Sequence, residues 1–289
     1  MCEDDGALAS QVGPVGADWH LEGLRRIYGA SMLTALMMPD DRPVMARRCE
    51  RGKGEFRCKA CGEDALLVKG DIRIHHFRHR PKHTLCDQER GETEAHRACK
   101  EAIYGALWGK DGVAELELEK RIGSNIADVF AMINGFPVAI EVQRSTLSVD
   151  SIRQRTMDYH RSRVFVLWLG LLREENCFDG YRPAAWERWC HAAYSGRMYY
   201  WVSSDEIQPI HFAGHKEHVR RTSWPGAAGR EYAAGGYDKY SKSLRNPDHG
   251  ARVKISEEFR PIRRSEWSGG TVHVPSCSLF VDRQAAWWK

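Results

Sequence analysis

The stretch IADVFAMINGFPVAIEVQRS, residues 126–145, constrains the fold more than any other part of this sequence. Two apolar runs flank Asn134-Gly135, a dipeptide that is the strongest short-range signal for a β-hairpin with a two-residue turn. With that turn, the numbers of paired residues sum to 269, so Asp128 and Glu141 are expected directly opposite each other. Period-two alternation makes one face of the hairpin uniformly apolar and brings both acids out on the other face.

This pair of carboxylates needs a neutralising partner, because like charges directly opposite each other destabilise a sheet. A shared proton, a basic neighbour or a divalent cation can supply it, and oxygen ligands at this spacing suit Mg²⁺ or Mn²⁺. Two other interpretations stay open. The strand ends can be exposed, with the acids as ordinary surface residues, or the register can slip by one residue and turn Glu141 to the other face.

The segment before the hairpin is predicted to be a helix from Thr93 to Trp108, with Thr93 as its N-cap. If the helix reaches back to Glu92, then Glu92, His96 and Lys100 share one face. Glu94 is the alternative acid. A solvated polar stripe explains the same residues, and His96 fits a general base as well as a structural hydrogen-bonding group.

The order of these acids is that of the PD-(D/E)xK nuclease core: an acid at the start of a helix, a second acid, then acid-x-Lys. Here Gln143 stands two residues after Glu141, where that core usually has Lys. Gln143 can orient water or hydrogen-bond a phosphate, but it cannot supply the positive charge.

A cluster of cysteines and histidines precedes the helix. Cys-x-x-Cys spacing lets two thiolates reach one tetrahedral Zn²⁺ ion, and a short hairpin after it returns further ligands to the same place. A full set of protein ligands indicates a structural zinc site. Free cysteines beside a basic loop are the alternative, and no thioredoxin-like pattern supports a redox pair. The expected ligands are Cys58, Cys61, His79 and Cys86, with His76 competing for the third place.

Charge and composition set wider limits. The chain has 289 residues and a net charge of only +4, which permits nucleic-acid binding without requiring it. No apolar run approaches the roughly 18 residues that a membrane helix needs, and the acidic start of the chain is unlike a signal peptide. We therefore expect a cytoplasmic protein with no membrane partner, in which clustered cysteines bind metal rather than form disulfides.

The order of these motifs resembles the competence protein CoiA family over about residues 33–213. The resemblance rests on the Cys/His cluster, the helix with Glu92, His96 and Lys100, then Asp128 and the run Ile140-Glu141-Val142-Gln143. It continues through Arg155 and Tyr159 and a later GRMYYW. It implies an α/β fold, with a restriction-endonuclease-like (PD-(D/E)xK) mixed sheet flanked by helices behind a small N-terminal Zn-ribbon-like domain. The expected segments are an extension (1–32), a zinc-binding domain (33–91), a nuclease-like domain (92–213) and a basic C-terminal extension (214–289).

The resemblance also implies a Mg²⁺- or Mn²⁺-dependent deoxyribonuclease that acts on single-stranded or branched DNA in competence or recombination. Two other hypotheses are an inactive zinc-containing DNA-binding adaptor and a partner of recombination or defence proteins. The tail after residue 213 either tracks single-stranded DNA or is a surface extension. The expected site residues are Asp128 and Glu141 as metal ligands, Glu92, His96, Lys100 and Gln143 as further catalytic groups, and Arg153, Arg155 and Tyr159 as nucleic-acid contacts.

Overall fold

The computed structural model describes residues 31–70, 74–79, 86, 93–143 and 147–288. Its first part is a six-stranded antiparallel sheet in the order β1-β6-β5-β4-β2-β3. Its strands β2 and β3 form an antiparallel hairpin. The strands are β1 (Ser31–Met32), β2 (Thr34–Met37), β3 (Arg42–Met45), β4 (Phe56–Arg57), β5 (Asp64–Val68) and β6 (His76–His79).

The second part is built on a larger mixed sheet. Its antiparallel strands β7, β8 and β9 follow the first helix, and the second helix then returns the chain to β10, which is parallel to β9. This α-β-β-β-α-β order confirms the nuclease-like mixed sheet. The elements are α1 (Glu94–Leu107), β7 (Val113–Ile122), β8 (Asn125–Ile133), β9 (Phe136–Gln143), α2 (Val149–Arg161), β10 (Phe165–Leu171), α3 (Ala185–Ala193), β11 (Met198–Ser203) and β12 (Glu206–Val219).

The C-terminal segment completes the same sheet. The boundary expected between residues 213 and 214 falls inside β12, and β20 pairs with β10 at the centre of the sheet. Much of this segment is therefore structural, because Leu279 and Phe280 are buried in the main core. Its elements are β13 (Thr222–Pro225), β14 (Glu231–Ala234), β15 (Tyr237–His249), β16 (Val253–Lys254), α4 (Ile255–Glu258), β17 (Phe259–Arg264), β18 (Trp267–Gly269), β19 (Val272–Val274) and β20 (Cys277–Asp282).

The hairpin of β8 and β9 has the predicted turn and register. Asn134 and Gly135 both have positive φ angles, 50° and 81°, as a type I′ turn requires. Val129 pairs with Ile140 and Ile133 pairs with Phe136, so the sum of 269 holds. The apolar face is entirely buried, and its members are Ala127, Val129, Ala131, Ile133, Val138, Ile140 and Val142.

Both helices of the nuclease-like core begin at hydroxyl caps. The Thr93 side chain accepts a hydrogen bond from the His96 amide at 3.3 Å, and the Ser148 side chain accepts one from the Ser151 amide at 3.1 Å. The predicted cap at Thr93 is thus confirmed. Among the helices that the structure describes, none is long and apolar enough to cross a membrane.

Candidate functional site

The zinc-type cluster joins distant parts of the N-terminal sheet. Ligand atoms of the four expected residues all lie within 4.8 Å of one another. Cys58 Sγ is 3.8 Å from Cys86 Sγ, and Cys61 Sγ is 3.3 Å from His79 Nε2. These separations suit a tetrahedron with Zn–S bonds of about 2.3 Å and a Zn–N bond of about 2.0 Å. The cluster could therefore hold a metal ion such as zinc.

His76 is the competitor that the structure sets aside. Its Nδ1 lies 2.8 Å from the Ile74 carbonyl oxygen, and it is outside the group of four residues. His76 and His79 stand three residues apart on β6, so their side chains leave the strand on opposite faces. Strand alternation thus selects the ligand that spacing alone left open.

The second site lies where β8 and β9 separate. Their pairing ends at Val129 and Ile140, although both strands continue. Asp128 and Glu141 are the next residues, opposite each other in this register. Asp128 Oδ2 accepts a hydrogen bond from the Val142 amide at 2.8 Å, so a side chain bridges the strands where their backbones stop pairing. Glu141 is 2% exposed, which excludes the surface interpretation of this acid, and the pairing of Val129 with Ile140 excludes the one-residue slip.

Asp128 is surrounded by groups that favour its ionised form. His96 Nε2 lies 3.1 Å from Oδ2, and Lys100 Nζ lies 3.7 Å from Oδ1. Burial alone would raise the pKa of this carboxyl. His96, Lys100 and the Val142 amide outweigh burial and hold the pKa of Asp128 well below its usual range. Asp128 is therefore a carboxylate throughout the neutral pH range.

Glu141 is held from the opposite side by two residues of α2. Arg155 Nη2 lies 2.5 Å from Glu141 Oε1, and the Tyr159 hydroxyl donates a hydrogen bond to the same oxygen. Burial raises the pKa of Glu141 to about 7, with Arg155 opposing the shift and Asp128 adding to it. Glu141 therefore takes up a proton at a higher pH than Asp128 does.

Glu119 forms a row of three acids with Asp128 and Glu141 across β7, β8 and β9. It was not predicted from the sequence. Its neighbours Leu118 and Lys120 pair with Val129 and Ala127, so Glu119 lies opposite Asp128. The sequence does carry a signal for this position. Gly123-Ser124 is a two-residue turn, and its register places Glu119 opposite Asp128.

Glu119 has structural partners on both sides. Lys100 Nζ donates to Oε1 at 2.9 Å, and the amide groups of Leu33 and Thr34 donate to Oε1 and Oε2. Burial opposes its ionisation, but Lys100 and these donors lower the pKa of Glu119. Glu119 therefore joins the N-terminal sheet to the helix that carries His96 and Lys100.

Comparison with known proteins gives the same assignment for this part of the chain. Residues 92–210 match the family described as "Competence protein CoiA, nuclease-like domain". This segment is therefore similar to a CoiA nuclease-like domain. The chain has no significant match among curated proteins or among solved structures.

The other predicted site residues of this segment do not lie together with Asp128 and Glu141 in the same way. Glu92 lies outside the described residues, and its alternative, Glu94, is exposed in the first turn of α1. Gln143 is the last residue of β9 and pairs with Gly170 of β10. Lys100 is buried between Glu119 and Asp128.

Of the expected nucleic-acid contacts, Tyr159 is corrected and Arg155 lies beside Glu141. Tyr159 is fully buried with its hydroxyl on Glu141, so it cannot reach a nucleic acid. Arg155 donates hydrogen bonds to Glu141 and to the Ile126 carbonyl oxygen, so its positive charge lies beside the two acids. Arg153 remains at the surface, paired with Asp150 at 2.8 Å.

Asp128 and Glu141 are the residues that could hold a divalent cation. Within the part of the chain that the structure describes, Glu141 Oε2 accepts no hydrogen bond, and Asp128 Oδ1 lies 3.7 Å from Lys100 Nζ. The two charges cancel within each of the ion pairs Glu119–Lys100 and Glu141–Arg155. Asp128 then carries the one remaining negative charge when His96 is neutral. Two carboxylate oxygens and a net negative charge suit Mg²⁺ or Mn²⁺.

Proposed function

We propose that the chain is a metal-dependent deoxyribonuclease in which Asp128 and Glu141 hold Mg²⁺ or Mn²⁺. The observation that carries the proposal is their position, opposite each other where β8 and β9 separate, with one oxygen of each free of hydrogen bonds from the described residues. The match to a nuclease-like domain supports the same chemistry. A cation bound there would polarise a phosphodiester and lower the pKa of a bound water.

The chain's own residues supply the positioning. Arg155 and Tyr159 hold Glu141, and Lys100 and His96 hold Asp128, so neither acid is free to change rotamer. His96 acts as a positioning residue, because its Nε2 is directed at Asp128. Lys100 and Arg155 also place two cations beside the carboxylates, where they would attract a phosphate. They provide the positive charge that Gln143 does not.

A second candidate function is an inactive DNA-binding adaptor. Two observations favour it: Gln143 stands in the position of the usual Lys, and protein cations already balance most of the negative charge in the row. In that case the row of Glu119, Asp128 and Glu141 stabilises the fold, and DNA binds to another part of the chain. The adaptor and the nuclease differ in cleavage and not in DNA binding.

The test is cleavage of single-stranded, duplex and branched DNA with Mg²⁺ or Mn²⁺ by the native chain and by Glu141→Gln. Glutamine keeps the shape of this side chain and an acceptor for Tyr159 but removes the charge. Glu266→Gln changes an exposed acid outside the site and is the matched control. We expect cleavage by the native and control proteins and a loss of at least about a hundredfold in Glu141→Gln, as for removal of one group that stabilises a transition state.

Other outcomes are equally informative. DNA binding without cleavage by the native chain would favour the adaptor. Equal cleavage by all three proteins would place the chemistry elsewhere. Zinc content and thermal unfolding of each variant show whether it is folded.

A further inference from the structure

A projecting β-arm, residues 214–245, is not used by the proposed active site. It begins at an irregularity between Gly214 and Lys216, after which β12 and β15 pair as a two-stranded ribbon as far as Val219 and Tyr237. The small hairpin of β13 and β14 continues the β-arm, and every described side chain in these two strands is exposed. The ribbon therefore has no core of its own.

The β-arm nevertheless carries large aromatic side chains. It contains four, and all of them are exposed: Trp224 by 48%, Tyr232 by 48%, Tyr237 by 57% and Tyr240 by 67%. Tyr237 and Tyr240 are three residues apart on β15, so they lie on opposite faces of the ribbon. Trp224 and Tyr232 form a cross-strand stack with ring centroids 6.4 Å apart. Aromatic rings on both faces of a ribbon without a core indicate a binding surface.

The net positive charge of the chain is concentrated in the β-arm. The β-arm has seven Lys and Arg against three Asp and Glu, an excess of four, which equals the net charge of all 289 residues. The remainder of the chain is therefore neutral. Five of these cations are exposed and form no ion pair with the described residues, namely Lys216, Arg220, Arg221, Arg230 and Lys242.

We propose that the β-arm binds single-stranded nucleic acid, with its aromatic rings stacked on unpaired bases and its cations on phosphates. Stacking on aromatic side chains beside a positively charged track is how proteins bind single strands without sequence preference. A duplex hides the faces of its bases and offers only their edges in the grooves, which exposed rings cannot stack on. This inference deepens the proposed function, because it names the form of DNA that the chain would bring to its active site.

The test measures binding of a fluorescently labelled oligothymidine by anisotropy, with the full-length chain and no added divalent cation. Oligothymidine is chosen because it does not fold on itself. The key variant is Trp224→Ala with Tyr232→Ala, which removes one stacked pair from exposed positions. Trp267→Ala is the matched control, because Trp267 is also exposed but lies outside the β-arm, beside Arg264.

We expect the double variant to weaken binding by roughly tenfold or more, as loss of base stacking does, and the control to bind like the native chain. Replacing Arg220 and Arg221 with Glu should lower the slope of log K against log salt by about 0.7 for each phosphate that the protein no longer neutralises. Equal affinity of the native chain and the double variant would overturn the proposal. So would an equally weakened Trp267 control, or preferred binding of duplex DNA.

The same assay separates this inference from the proposed function. Glu141→Gln should bind oligothymidine like the native chain, whatever its cleavage activity. No oligothymidine binding by the native chain, with cleavage retained, would overturn the role of the β-arm and leave the nuclease intact; the β-arm would then be a surface for a protein partner. Binding that depends on the β-arm, without cleavage, would support this inference and contradict the nuclease.

Discussion

Lys100 and Glu119 form a buried ion pair, with 2.9 Å between Nζ and Oε1, that ties the candidate active site to the N-terminal sheet. Lys100 also lies 3.7 Å from Asp128, and Glu119 also accepts hydrogen bonds from Leu33 and Thr34. A change in the N-terminal sheet would therefore reach Asp128 through only two side chains.

Glu119→Gln should destabilise the chain by about 3 kcal/mol, because it removes the negative charge that lies 2.9 Å from the buried Lys100 ammonium. Urea unfolding measures the change. Glu115→Gln is the control, because Glu115 is exposed and lies 4.0 Å from Lys120, and its effect should stay within about 0.5 kcal/mol. A Glu119→Gln effect as small as the control's would mean that the pair does not stabilise the fold.

Tyr159→Phe should lower the free energy of unfolding by about 1.5–3 kcal/mol, the range for a hydrogen bond to a charged group. It should also reduce cleavage, because Glu141 loses one of its two holding groups. Affinity for oligothymidine should not change, since Tyr159 is buried away from any nucleic acid. Weaker DNA binding by a folded Tyr159→Phe variant would mean that Tyr159 contacts nucleic acid, contrary to its buried position in the structure.

Zinc retention should separate the two histidines of β6. His79→Ala should lose the metal and unfold the N-terminal sheet at lower temperature, since a structural zinc site contributes folding free energy directly. His76→Ala should keep the metal, because His76 lies outside the cluster. Elemental analysis after dialysis provides the measurement. Loss of zinc from His76→Ala with retention in His79→Ala would reverse the ligand assignment.

The pH dependence of stability should include a contribution from His191. Its Nε2 accepts a hydrogen bond from the Phe212 amide at 3.0 Å and lies 3.1 Å from His211 Nδ1. Burial lowers the pKa of His191 from 6.5 to about 3. Between these values the unfolded chain binds a proton that the folded chain does not, so stability falls as pH decreases below 6.5.

The slope from this one group can reach about 1.4 kcal/mol per pH unit. His191→Gln keeps an acceptor near the Phe212 amide but does not titrate, so its stability should fall less steeply between pH 6.5 and 4. Urea unfolding at several pH values compares the two proteins. Parallel curves for the native chain and the variant would show that His191 does not titrate differently on folding.

Local sequence signals predicted a large part of both sites. Asn134-Gly135 determined the turn, and the turn determined that Asp128 and Glu141 are opposite each other. Cys-x-x-Cys spacing and one returning hairpin identified the four residues of the metal cluster. These predictions succeeded because the Asn-Gly turn fixes the register of its own hairpin, and because Cys-x-x-Cys spacing places two thiolates within reach of one ion.

The tertiary structure decided which groups surround those acids. Arg155 and Tyr159 were expected to contact nucleic acid, but α2 packs so that both reach Glu141. The C-terminal segment was expected to be an extension, yet β20 pairs with β10 at the centre of the sheet. The sequence by itself determined the turn, the register and the Cys58–Cys61 ligand pair, because these follow from local backbone geometry. Only the tertiary structure determined the partners of the acids, because packing of helices and distant strands depends on how the whole core is filled.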